Sequence, residues 1–266
     1  MPLELKGRAA VITGAAGGIG RALALRAAAE GMSLALADND VEALESFADE
    51  IRASGAEVLA LGVDVRERAQ LDAFAAKTFA CFPSVALVFA NAGVMRAATS
   101  WLQAASDWEL TIDVNLKGAG HTASAFMPRL LESNAPAQIV FTGSTSAFLP
   151  RPQLSAYSCT KHALWALAEA MQLELRALSA PIGISFLAPA GVRTTIANTR
   201  CAGAEQTMQQ SVNALLEAYG MPPAELAEET FRAARQQKFW ILPHPEFKTA
   251  LCERAARIDA ETDPAD

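Results

Sequence analysis

The sequence is poor in the residues that staple, anchor or charge a chain for a specialised environment. Only four of its 266 residues are cysteine. Cys81, Cys159, Cys201 and Cys252 are widely scattered, with no CxxC or Cys/His spacing, which argues against a disulfide scaffold or a zinc site. The three histidines, His121, His162 and His244, are not spaced as metal ligands either, and surface or helix-packing roles are expected for them. Lys and Arg together number 22 against 29 Asp and Glu, a formal net charge of -7. No basic cluster offsets that balance, so neither nucleic acid nor an anionic membrane is an expected partner. No uncharged apolar run approaches the roughly eighteen residues of a membrane span. The first residues lack the basic start and long apolar stretch of a secretion signal, so a cytoplasmic protein is expected. No Pro/Ser/Gly linker, internal repeat or low-complexity tract divides the chain.

What is present is a large apolar complement, 52% of residues with 19% charged, enough for a substantial core. Short apolar runs alternate with longer Ala/Leu/Glu-rich stretches, the βαβ rhythm of a parallel sheet covered on both faces. Strands are predicted at 8–13, 33–37, 57–61, 85–90, 138–143, 183–188 and 239–242, and helices at 18–30, 41–53, 67–79, 106–131, 155–178 and 224–236. The 106–131 stretch holds Gly118, Gly120 and Pro128, where a bend is expected. One α/β domain over 1–258 with a doubly wound parallel sheet of about seven strands accounts for this pattern. The stretch 195–223 interrupts the alternation after a strand exit, the position of a lid over a substrate. The mixed charges of "ERAARIDAETD" fit a solvated helix face and tail, and 259–266 is expected to be an acidic, disordered end. Trp101, Trp108, Trp165 and Trp240 are expected to be packing residues.

After the first strand comes "TGAAGGIG", which contains Gly14, Gly18, Ile19 and Gly20 and runs straight into a helix. Glycines let the backbone turn tightly and approach a bulky ligand, and the helix N-terminus behind them offers free N–H groups to a diphosphate. By itself the cluster serves a tight βα turn equally well. The second strand ends in Asp38, about twenty residues on, where a carboxylate accepts from ribose hydroxyls. Its alternative is a helix cap, for which Asp40 is better placed. A carboxylate there repels a ribose 2′-phosphate, and neither the glycine loop nor Asn39 supplies a cation, so NAD is expected over NADP.

"YSCTKHALWAL" places Tyr157 and Lys161 four apart, on one helix face and about 6 Å apart along the axis. Surface helices carry this pair too. A free tyrosine has a pKa of about 10. A cation beside it, together with an oxidised nicotinamide, favours the phenolate, and a drop of about three units corresponds to about 4 kcal/mol.

With these features in order the chain resembles the short-chain dehydrogenase/reductase family, Rossmann-fold enzymes with a TGxxxGxG loop. The resemblance runs from about Arg8 to Thr195. It rests on the glycine loop, "DV" at Asp64 and Val65, "NAG" at Asn91, Ala92 and Gly93, Asn115, Ser144, and the Tyr157–Lys161 pair. It implies that Asp64 and Val65 flank the adenine and that the Asn91–Gly93 turn supports the cofactor. It further implies that Ser144 steadies the substrate oxygen, Tyr157 exchanges its proton, and Lys161 tunes Tyr157 and holds the nicotinamide ribose. Asn115 would support a water chain to the lysine; read alone it is a helix-interior Asn bonded to backbone. The family's PGxVxT turn reads "PAGVRT" here, with Pro189, Val192 and Thr194 in register and Ala190 in place of a glycine. If that position needs a positive φ, Ala190 strains or shifts the turn, with Gly191 as substitute.

By family position Met95, Thr145, Leu154, Ala190 and Ile196 line the substrate pocket. They are mostly apolar and offer no cation for a carboxylate or an acyl-carrier phosphate. The resemblance therefore implies NAD(H)-dependent interconversion of a secondary alcohol and a ketone, with a bulky or aromatic small-molecule substrate and a homodimer or homotetramer. The alternatives are a 3-oxoacyl thioester reductase and a non-catalytic dinucleotide-binding regulatory protein.

Overall fold

The computed structural model describes residues 2–194, 196, 214 and 216–264. In chain order these form β1 (Ala9–Thr13), α1 (Gly18–Ala29), β2 (Ser33–Asp38), α2 (Val41–Ala53), β3 (Val58–Gly62), α3 (Arg68–Cys81), β4 (Val85–Ala90) and α4 (Ala105–Ile112). A π-helical turn (Asp113–Gly118) follows, then α5 (Ala119–Ser133), β5 (Ala137–Thr142), α6 (Ser155–Ala177), β6 (Ile182–Leu187), α7 (Pro223–Arg235), β7 (Trp240–Ile241) and α8 (Phe247–Asp259). The strands make one sheet in the order β3-β2-β1-β4-β5-β6-β7, with every pair parallel. This is the doubly wound α/β fold expected from the alternation.

Strand side chains point alternately to the two faces, and each face has its own apolar layer. Ile12, Leu36, Phe89 and Val140 face α1, α2 and α7, where Phe231 lies 5.5 Å from the Phe89 ring centre. Val11, Val88, Ile139, Phe141 and Ile184 face α3, α5 and α6. Both faces being covered explains why every residue of β1, β4, β5 and β6 is buried and why these strands are mostly apolar, with Thr13, Gln138, Thr142 and Ser185 as buried polar exceptions. Burial of a side chain such as Phe89 contributes about 2–3 kcal/mol.

The helix expected over 106–131 is three segments. The break lies at the π turn and not at Pro128, which α5 absorbs. Gly118 allows it: a Cβ there would stand 2.6 Å from Val65 Cγ2, so the turn packs directly on the chain leaving β3. Trp165 and Trp240 do pack, in an aromatic cluster with Phe148, Phe186 and Phe239. Trp101 does not, being 84% exposed. His162 meets the expectation of a packing role, with Nδ1 2.8 Å from the Ala147 carbonyl and its ring against Trp165.

At the C-terminal end α8 runs to Asp259, and Glu261 takes a left-handed φ of 52° that lets Thr262 N bond the Arg257 carbonyl and close the helix. The lid expected at 195–223 lies largely outside the described residues. Its described end returns to its start, because Met221 N donates to the Gly191 carbonyl and Arg193 N to the Met221 carbonyl.

Candidate active site

The order of strands reverses between β1 and β4, and the carboxyl ends of the strands there open a cleft of about 1600 Å³. At β1 the chain turns through Gly14, whose φ is 66° and whose Cβ would sit 2.8 Å from Ala92 Cα. Gly20 is required for a different reason. A Cβ there would lie 1.9 Å from the Gly14 carbonyl oxygen, so the helix start presses on the loop. Gly14, Gly18 and Ile19 line the cleft, whereas Gly20 stands behind it and supports the loop. Asn91 binds the strand ends together: Nδ2 donates to the carbonyls of Thr13 (3.0 Å) and Gly14 (3.2 Å), and Oδ1 accepts from Thr142 Oγ1 (3.1 Å).

The start of α1 has no side-chain cap and no acidic residue in its first turn. Its N–H groups and positive dipole end are therefore left for an anion. Asp38 on β2 accepts from Ala16 N (2.9 Å) and Asp40 N (3.0 Å), while Asp40 caps α2 through Ala43 N. Asp38 is thus fixed at the cleft wall and is not the cap; lone pairs remain for hydroxyl donors. Asp64 and Val65 line the wall after β3. Arg66 grips the Asp64 carboxylate through Nε and Nη2 and holds its pKa below the usual carboxylate range. An uncapped helix start, a glycine pressed against backbone and a fixed acceptor on β2 together fit a dinucleotide.

Also at the carboxyl end of β5, the structure brings Ser144, Tyr157 and Lys161 together. Ser144 ends the chain segment leaving β5, and its Oγ accepts from Ser146 N (3.1 Å). One turn apart on α6, Tyr157 and Lys161 share a face, with Lys161 Nζ 5.5 Å from the Tyr157 ring centre and bonded to the Thr142 carbonyl (2.7 Å). Burial is the largest influence on both groups. It pushes the Tyr157 hydroxyl up, opposed by a hydrogen bond with Ser144, and pushes Lys161 down to about 8. Among the protein's own groups burial is the stronger influence at Tyr157, and the lowering expected beside Lys161 draws on a bound oxidised nicotinamide as well.

Asn115 lies behind the wall in the π turn, 1% exposed. Its side chain accepts from Val94 N (2.8 Å) and donates to the Val94 carbonyl (2.9 Å) and Thr160 Oγ1 (3.2 Å). It couples the "NAG" loop to α6. A Cβ on Gly93 would be 3.4 Å from Asn115 Oδ1 and 3.7 Å from Lys161 Nζ, so the absence of a side chain there leaves these two groups on either side of one backbone position. In the "PAGVRT" turn neither Ala190 nor Gly191 has a positive φ. The anticipated strain is absent. Ala190 N donates to His244 Nδ1 (3.2 Å), which gives His244 a positioning role that sequence reading did not assign.

The family model described as short chain dehydrogenase matches residues 8–205 of this chain. The chain belongs to the short-chain dehydrogenase/reductase family. A member from Burkholderia phymatum solved in complex with NAD is 34% identical, with a TM-score of 0.95 over 99% of this chain and 98% of that one. The 1-deoxy-11-beta-hydroxypentalenate dehydrogenase of Streptomyces avermitilis is 30% identical over 94% of this chain and 89% of its own length. An alcohol dehydrogenase from Thermococcus sibiricus complexed with 5-hydroxy-NADP is 27% identical, with a TM-score of 0.76 over 88% and 94% of the two chains. This chain is accordingly an oxidoreductase of a family that binds nicotinamide dinucleotides.

All five expected pocket residues of this short-chain dehydrogenase, Met95, Thr145, Leu154, Ala190 and Ile196, line the cleft. The expectation that the pocket lacks a cation is overturned. Arg96, Arg151, Arg254 and Arg257 line it as well, the last two from α8. Arg96 directly follows Met95 and was legible as a neighbour; Arg254 and Arg257 were not, because only the fold carries α8 back over the cleft. No helix among the described residues is long and apolar enough to cross a membrane, and no metal-binding cluster occurs among them.

Proposed function

We propose that this enzyme interconverts a secondary alcohol and a ketone with NAD(H). The observation that carries the reading is the buried Ser144–Tyr157–Lys161 constellation at the end of a cleft whose other end fits a dinucleotide. When bound, the nicotinamide supplies the hydride acceptor or donor. The Tyr157 hydroxyl, in its phenolate form, takes the alcohol proton, and as a phenol it returns one to the ketone oxygen. Ser144 donates a hydrogen bond to that oxygen as charge develops. Lys161, protonated below about 8, contributes the fixed positive charge that favours the phenolate and, with the Asn91–Gly93 turn, holds the cofactor ribose.

Asp38 supports NAD over NADP, since its carboxylate repels a 2′-phosphate, and Arg66, the cation on that wall, is already engaged by Asp64. The same feature disfavours a 3-oxoacyl thioester reductase drawing on NADPH. Ile196 and Leu216, described residues of the 195–223 stretch, both line the cleft, as a substrate cover requires. Leu173, 63% exposed on α6, is an apolar surface that a homodimer or homotetramer would cover. The test is NADH absorbance over a panel of secondary alcohols and ketones with NAD and NADP in parallel. Turnover with NAD that is lost in Tyr157→Phe is expected. Activity retained in that variant, or cofactor binding without turnover of any alcohol, overturns the reading.

A further inference from the structure

The two ends of the cleft differ in charge. Where the dinucleotide fits, the charged lining is Asp38, Asp64 and the Arg66 that Asp64 neutralises. Beyond Tyr157 the charged lining is Arg96, Arg151, Arg254 and Arg257 against Glu253. A net positive mouth on a chain of formal charge -7 runs against the composition. Elsewhere most arginines find acids, as Arg21 does with Glu50, Arg68 with Asp72, Arg232 with Glu229 and Arg235 with Glu30, although Arg8, Arg176 and Arg193 show no ion-pair partner among the described residues. Arg151, Arg254 and Arg257 have no such partner among the described residues.

Arg96 is different again. Its Nε is drawn to Asp107 Oδ1 (3.4 Å) and its side chain is only 18% exposed. Its Nη1 is buried with no hydrogen-bond partner among the described residues. A buried guanidinium donor without an acceptor costs about 1–3 kcal/mol, and an acceptor carried by a ligand recovers it once the side chain turns toward the cleft it lines. The opposite loop is close, since Ala98 N donates to the Gln153 carbonyl (2.9 Å). The Gln153 side-chain oxygen, an acceptor that a hydroxyl and not a carboxylate would meet, also has no partner among the described residues, and Gln153 holds a left-handed φ of 65°. The wall beyond the reacting hydroxyls therefore carries unmet polar capacity in a lining otherwise mostly apolar.

We propose that the substrate carries a carboxylate remote from its carbinol carbon, held by Arg96 and drawn in by Arg151, Arg254 and Arg257. This rests on the alcohol–ketone reading above and adds the chemical class of the substrate: an oxo or hydroxy acid with an apolar body. A guanidinium fork matches the planar carboxylate. The α8 arginines act at longer range, where attraction falls with ionic strength.

The experiment compares medium-chain oxo acids with their methyl esters as substrates of the full-length enzyme. The acid is expected to exceed its ester in kcat/KM by about tenfold or more, the worth of a charge-assisted hydrogen bond, and the excess should shrink as salt rises. Arg96→Gln should reduce the acid-to-ester ratio to near unity. Arg254→Gln with Arg257→Gln, on a helix with no buried residue, should reduce the ratio and its salt dependence without lowering the unfolding temperature, which covers the case in which Arg96→Gln fails to fold. Equal turnover of acid and ester, or a ratio unmoved by both variants, overturns the proposal, as does a coenzyme A thioester preferred over both. If no substrate turns over, the alcohol–ketone reading is what fails. Calorimetric binding of the saturated acid but not its ester to the NADH-loaded enzyme, weakened in the arginine variants, would still uphold the carboxylate site, and binding of neither would overturn it.

Discussion

The half of the cleft that fits the dinucleotide and the half beyond Tyr157 are built on different principles. The first is made of strand ends, a backbone turn and one fixed carboxylate, joined by Asn91 to β1 and β5. The second is made of loops at 94–98 and 149–154, the ends of the 195–223 stretch, and α8, which has no buried residue of its own. A rigid wall suits a ligand that never changes, while loops set on a scaffold let substrate recognition vary without disturbing the core. The contrast extends to charge. Acid faces the dinucleotide end and arginine the substrate end.

That contrast can be broken by four changes, taken from the largest expected effect to the smallest. Tyr157→Phe removes the proton carrier where the halves meet. Its kcat should fall by about 10²–10⁴ while NADH titrated by fluorescence binds as before; a proportionate loss of binding would mean the tyrosine is a wall residue. Asp38→Ala removes the repulsion of a 2′-phosphate. The NAD-to-NADP ratio of kcat/KM should drop by about tenfold, with the acid-to-ester ratio unchanged, and a cofactor ratio that stays put would detach Asp38 from cofactor choice. A ratio of this size corresponds to about 1.4 kcal/mol.

Gly20→Ala tests the rigid wall directly, since its new methyl would meet the Gly14 carbonyl at 1.9 Å. Overpacking of this kind costs about 1–3 kcal/mol. The unfolding temperature should drop by about 2–4 °C per kcal/mol in a chain of this size. An alanine on α8, such as Lys248→Ala, should leave it within a degree or so. Equal effects would erase the distinction between the halves.

The last effect is in pH. Burial brings the Lys161 pKa in the folded chain down to about 8 from its ordinary 10.5. Between those values the unfolded chain binds the additional proton, so this residue makes stability rise as pH climbs above 8. Tyr157 shifts in the opposite direction, so its contribution is lost as pH passes 10. Denaturant unfolding from pH 7 to 10 should show wild type gaining on Lys161→Met by at most about 2–3 kcal/mol. A flat difference would place the lysine in contact with solvent.

The strands were legible because a sheet covered on both faces demands unbroken apolar runs, and each of the seven falls within a residue or two of its expected place. Asp38 was legible because its spacing from the glycine loop is local, and Tyr157 because its spacing from Lys161 is. The π turn was not, since nothing in "DVNLKG" distinguishes it from α-helix until Gly118 is packed on Val65. His244, 54 residues from the Ala190 amide it holds, was set aside for the same reason.

The sequence alone determined the doubly wound sheet, the glycine turn, the acid that ends β2 and the one-turn spacing of Tyr157 and Lys161. Each depends on contacts within one βα unit or one helical turn. Tertiary structure alone decided that Gly20 supports the loop from behind, that Ala190 sits without strain, that burial governs Tyr157 and Lys161, and that four arginines gather at the substrate end. Those outcomes depend on which distant segments end up facing the same volume, and on how much water that packing excludes.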